Sequence, residues 1–69
     1  MNDNIDMDLA SGLNAFEAKH FTQAIRLLHP LAEAGDPIAQ HRCAIMFQNG
    51  LGVTRSDSEA FKFMKAAAE

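Results

Sequence analysis

The 69-residue sequence predicts an all-α protein: four helices forming two antiparallel hairpins stacked as a superhelical solenoid. Three observations lead there. Apolar residues recur at helical spacing in four successive segments, as one face of a 3.6-residue period requires. Gly35-Asp36-Pro37 joins two of these segments with a stop, a cap and a start, because glycine closes a helix, aspartate accepts first-turn N–H groups and proline suits the first helical position. The two halves of the chain also correspond to one another, helix pair on helix pair.

In chain order, residues 1 to 4 are expected to be disordered and residues 5 to 69 to form one domain, with unit one over about 5 to 35 and unit two over about 36 to 69. The first helix starts near Asn4 to Asp6 and carries Leu9, Leu13 and Phe16 on one face. Gly12 lies on that face and costs about 1 kcal/mol against alanine, so a close helix approach is the expected compensation. This helix ends near Ala18 to His20, and Lys19-His20-Phe21-Thr22 forms a short turn. Phe21, Ala24, Ile25, Leu28, Leu31 and Ala32 then mark a strongly amphipathic second helix. Pro30 inside it removes the bond to the Arg26 carbonyl and predicts a kink, not a break, because the apolar period continues to Leu31.

The third helix runs from Pro37 to Asn49. Ala39, Cys43, Met46 and Phe47 lie on one side, Ile38 and Ile45 widen the sector, and Gln40, His41, Ala44 and Gln48 fill the remainder. So wide an apolar sector requires neighbours on more than one side. Asn49-Gly50 closes this helix, and Gly50 or Gly52 requires a positive φ in the turn that follows. Ser56-Asp57-Ser58-Glu59 has the form of a capping box, with Ser56 as N-cap and Glu59 reaching back to its N–H. The fourth helix presents Ala60, Phe61, Phe63, Met64, Ala67 and Ala68 on more than one face, and no capping helix follows.

Composition narrows the function. With 48% hydrophobic residues, five Phe and four Met, the chain has the material for a core. A net charge of −3 with six scattered basic residues leaves no footprint for nucleic acid. The acidic start, Met-Asn-Asp-Asn-Ile-Asp, lacks a signal peptide's basic region, and no apolar run approaches ~18 residues, so no membrane partner is expected. The single cysteine points to a buried thiol in the cytoplasm.

The candidates for chemistry are few. His20, His29, His41 and Cys43 are the non-carboxylate ligand types, and they support the alternative of a small metal-binding or enzymatic helical protein. His41 and Cys43 lie about 200° apart around a helix, however, which suits neither one ion nor a Cys/His nucleophile pair. Ser11, Ser56 and Ser58 have no base partner, and Gly50-Leu51-Gly52 is too short for a phosphate loop. The expectation is therefore a non-enzymatic protein without catalytic, metal or cofactor residues.

Laying the first helical pair on the second brings Gly12 onto Ala44, Phe16 onto Gln48, Ala24 onto Ala60, Leu27 onto Phe63 and Ala32 onto Ala68, the second pair having a longer loop around Gly50 to Thr54. Self-similarity near ~34 residues is the signature of tetratricopeptide-type solenoids. Unit two, with Ala39-Gln40, Phe47, Gly50-Leu51-Gly52-Val53, Ala60, Phe63 and Lys65-Ala66-Ala67-Ala68-Glu69, resembles the Sel-one-like repeat family, a tetratricopeptide relative with a glycine-containing loop between its helices. Cys43-Ala44 replaces the family's usual Leu-Gly pair, Phe63 its tryptophan and Ser56 its aspartate. Unit one has the shorter tetratricopeptide-like turn but ends in Leu31-Ala32-Glu33-Ala34-Gly35-Asp36, similar to the family's inter-repeat junction.

The resemblance implies a protein-interaction scaffold that binds a peptide or protein segment on its concave face, lined by the first helix of each pair. Carried onto this chain, the candidates are Leu9, Leu13, Phe16 and Glu17 with Ile38, His41, Ile45 and Gln48. Phe61, Met64 and Ala68 face an uncovered end. They are expected to support a homodimer, or to pack on further units of a longer repeat array.

Overall fold

Three helix ends close in the same way, and they set the path of the chain. The computed structural model describes the backbone of residues 3–69 and side chains from Met7 onward. It contains α1 (Asp3–Glu17), α2 (Phe21–Glu33), α3 (Pro37–Asn49) and α4 (Asp57–Ala68), with no strand among the described residues. Past the ends of α1, α2 and α3, one residue takes positive φ: Lys19 at 65°, Gly35 at 106° and Gly50 at 67°. The next N–H turns back to a carbonyl five residues earlier, His20 to Ala15 at 2.8 Å, Asp36 to Leu31 at 3.0 Å and Leu51 to Met46 at 2.9 Å. This closure satisfies carbonyls that have no partner within the helix. Its use of Lys19 was not visible in the sequence, because a non-glycine residue in this region carries no compositional mark.

The starts are less uniform. Asp36 Oδ1 accepts from Ala39 N at 2.9 Å, ahead of Pro37, as the sequence indicates. Phe21 and Thr22, read as turn, already belong to α2, whose preceding His20 makes no side-chain cap bond. At α4 only half of the capping box forms: Ser56 Oγ accepts from Glu59 N at 3.2 Å. The Ser56 N–H instead donates to the Phe47 carbonyl at 3.0 Å, and the Glu59 carboxylate turns to Lys62 Nζ at 3.2 Å. A tertiary backbone bond has taken the donor the local motif would have used. The α2 helix is continuous through Pro30. At the N-terminus α1 begins at Asp3, ahead of the Asn4 to Asp6 start, and Met1 and Asn2 of the expected disordered stretch lie outside the described residues.

Each helix packs on the next, α1 on α2, α2 on α3 and α3 on α4. The thinnest Cα dimension is 14 Å, as expected for two helix layers about 8–10 Å apart. Contacts that skip a helix assign the layers: Arg42 of α3 lies over Phe16 of α1, and Lys62 of α4 pairs with Glu33 of α2 at 3.3 Å. Gly12 makes the α1–α2 contact possible, because a Cβ there would stand 2.5 Å from Leu28 Cδ2. Leu28, Cys43, Ala44 and Met46 are fully buried at the centre, with Phe63 beside them. Gln40 and Ala44, assigned from periodicity to the less apolar sector of α3, are both buried. Gln40 is accommodated because its Nε2 donates to the Ala32 carbonyl at 3.1 Å, which satisfies the amide and ties α3 to the end of α2.

The loop after α3 folds back on unit one. Gly52, at φ 71°, lies so close to α2 that a Cβ would come within 2.5 Å of the Phe21 carbonyl carbon and oxygen. No helix among the described residues is long and apolar enough to cross a membrane.

Candidate functional site

The α1–α3 layer carries the eight residues expected on the concave face, and the structure divides them. Leu9, Leu13 and Phe16 are half-buried and pack against the core. Glu17, His41 and Gln48 are exposed, Ile45 is half-buried, and Ile38 keeps 47% of its surface in water. Leu13, Ile38 and His41 come together in one open groove of about 630 Å³, lined also by Pro37 and Arg42 of α3 and by Met64, Ala67 and Ala68 of α4. The groove therefore joins residues expected to bind a partner to two of the three expected at the uncovered end. Gln48 instead borders a second depression with Phe61 and Met64. A third depression of similar volume surrounds the α1–α2 turn, lined by Lys19, His20, Thr22, Gln23 and Arg26 together with Phe21 and Leu27.

Arg42 is the charged group of this groove and was not among the residues singled out from sequence. It is the only Lys or Arg on α3, which is the signal that could have found it. Its guanidinium carbon lies 5.3 Å from the centre of the Phe16 ring, so the plane is held by an aromatic face. Nη1 stands 3.4 Å from His41 Nδ1, and Nε is buried without a hydrogen-bond partner among the described residues. Arg42 makes no ion pair with a described carboxylate.

Repeat correspondence explains why α4 has an apolar face toward solvent. The register that places Ala24 on Ala60 also places Ile25 on Phe61, Leu28 on Met64 and Leu31 on Ala67. In unit one these positions are core, with Ile25 at 9% exposure and Leu28 at 0%, and α3 packs on that helix. In unit two Phe61 is 70% exposed and Met64 40%. At the other end, the register that places Gly12 on Ala44 sets exposed Asp8 and Ser11 on buried Gln40 and Cys43. Among the described residues the two ends thus differ, one partly polar around Met7, the other apolar.

The histidines and cysteine do not converge. Cys43 is fully buried while His41 is exposed, and burial, with a smaller contribution from the Glu33 carboxylate, pushes the thiol up to about 12. His29 packs edge-on against Phe47 and Phe63, with Nε2 3.7 Å from Glu33. Among the described residues, no three His, Cys, Asp or Glu side chains are grouped so as to hold a metal ion.

Neither the curated proteins nor the solved structures include a match to this chain. The family model for the Sel1 repeat matches residues 19–36 and 37–69, the second match coinciding with the α3–α4 unit and the first with α2 and the junction after it. Proteins built from this repeat are generally non-enzymatic modules for protein–protein interaction. The matched residues make up most of the sequence, and the four antiparallel helices have the arrangement such repeats form, so this chain belongs to the Sel1 repeat family.

Proposed function

We propose that this protein is a binding module that seats an apolar segment of a protein partner in the groove across α1, α3 and α4. The observation that carries this reading is the single open groove that brings together Leu13, Ile38, Met64 and Ala68, with Arg42 and His41 also in its lining. Such grooves, apolar with a few polar groups, suit peptide recognition. The lone, buried Cys43 supports a reducing, cytoplasmic setting. The test is site-specific photocrosslinking, with benzoylphenylalanine replacing Ile38 in the groove or Ser11 on the outer face of α1. Adducts are expected from Ile38, lost when Met64→Glu is added, and absent from Ser11. Equal adducts from both positions, indifferent to Met64→Glu, would overturn the reading.

A second reading, self-association through Phe61, Met64 and Ala68, draws on the exposure of Phe61. In that arrangement the apolar ends of two copies meet about a two-fold axis, because the other end offers Asp8 and Ser11 instead of a matching apolar face.

A further inference from the structure

Unit one provides its own template for what belongs on unit two. The helix α3 packs on α2, whose Leu28, Leu31 and Ala32 are core, and the corresponding Met64, Ala67 and Ala68 of α4 line an open groove. The complementary shape is therefore a helix with an apolar stripe, lying against α3 and α4 as α3 lies against unit one.

Any such helix also covers Arg42. A guanidinium stacked on Phe16, with Nε already lacking an acceptor, would lose water from its remaining nitrogens as the groove closes. Desolvating a charge without a counter-charge is costly, and the planar fork of arginine fits a carboxylate with two parallel bonds. Among the described residues none of the side chains lining the groove is a carboxylate, so the complementary acid is one that arrives with the ligand.

We propose that the groove receives an amphipathic helix of a partner protein and that Arg42 selects for an aspartate or glutamate carried within its apolar face. This rests on the binding-module reading and specifies the partner's chemistry. An all-apolar helix would leave Arg42 buried and unpaired, so Arg42 acts as a specificity determinant by penalising the wrong ligand.

The probe is a phage-displayed library of amphipathic helices three to four turns long, about the length of an average protein helix, with randomised apolar stripes. It is selected on the parent chain and counter-selected on Met64→Glu. Selected clones are expected to carry Asp or Glu at one stripe position and to weaken at least about tenfold on Arg42→Gln, with Arg42→Lys intermediate because charge without the fork recovers part of the contact. Their affinity also falls as salt rises. Circular dichroism of each variant separates lost binding from lost fold. Clones that need Met64 but show no acidic enrichment and bind Arg42→Gln undiminished overturn the carboxylate assignment and leave the binding groove standing. Absence of any Met64-dependent clone overturns both. Displacement of every clone by self-association of the chain makes a second copy the occupant and overturns the partner-helix assignment.

Discussion

Cys43 shows how position determines what a side chain can do. On sequence alone it reads as a buried core thiol whose spacing from His41 suits neither a metal ion nor a nucleophile pair; at zero exposure, with the Glu33 charge acting on it, it is held as a neutral thiol. Because its folded-state pKa is raised, the folded protein keeps a proton that the unfolded chain releases above about pH 9. Stability is therefore full below that pH and falls as pH rises toward 12, by at most about 1.4 kcal/mol per pH unit. Lys62, raised chiefly by its bond to Glu59, acts in the same direction but from an exposed position. Melting curves between pH 8 and 11 should steepen this loss in the parent relative to Cys43→Ala, and the thiol should resist alkylation until the chain unfolds. Fast alkylation of folded protein would contradict the burial. His41 and Arg42 carry the other lesson at this scale. His41 is exposed and Arg42 half-buried, and only the approach of α1 and α4 made Arg42 part of a groove.

Among the elements, the helix ends were largely written in the local sequence, and the exceptions have tertiary causes. Asp36-Pro37 starts α3 and Asn49-Gly50 ends it where the residues indicated. The box at Ser56 is half-formed because Phe47 supplies an acceptor from elsewhere in the chain. Lys19 occupies a left-handed position where a side chain costs about 1–2 kcal/mol, whereas Gly35 and Gly50 hold the equivalent positions without that cost. Lys19→Gly is accordingly expected to stabilise the fold by a few tenths to about 1 kcal/mol after the added unfolded-state entropy, a rise of several degrees in Tm for a domain of this size. The loop glycines rank in the opposite sense. Gly50→Ala meets only ordinary contacts and should cost about 1 kcal/mol, while Gly52→Ala drives a methyl group into the α2 backbone and should cost roughly 2 kcal/mol or more. Thermal melts that place Gly50→Ala below Gly52→Ala would refute this account of the loop.

For the whole molecule, two stacked units leave one apolar end without the helix that unit one enjoys. A chain of this size buries only about 60% of its unfolded surface, so covering Phe61 and Met64 is a substantial gain at about 25 cal/mol per Å². If self-association is the cover, sedimentation equilibrium should show mass rising toward the dimer at high micromolar concentration, with Tm rising in step. Phe61→Glu and Met64→Glu should hold the chain monomeric while leaving it folded. A parent that stays monomeric and melts independently of concentration would remove this reading and leave the end face to another partner.

What the sequence determined by itself was everything carried by local chemistry and period: four helices, the Gly35-Asp36-Pro37 junction, the glycine closure at Gly50, the repeat register and the family that follows from it. Helical periodicity reports which residues share a face, while the family resemblance made Leu13 and Ile38 candidates and the uncovered end of the repeat made Met64 one. It does not report which face a neighbour covers, because Leu28 and Met64 occupy equivalent positions in near-identical patterns. Only tertiary packing decided that one is core and the other groove. It also buried Gln40 against the Ala32 carbonyl, gave the Ser56 donor to Phe47 and set Arg42 over Phe16 with no ion pair to a described carboxylate. Each of these depends on groups far apart in the chain, whose meeting is set by helix packing.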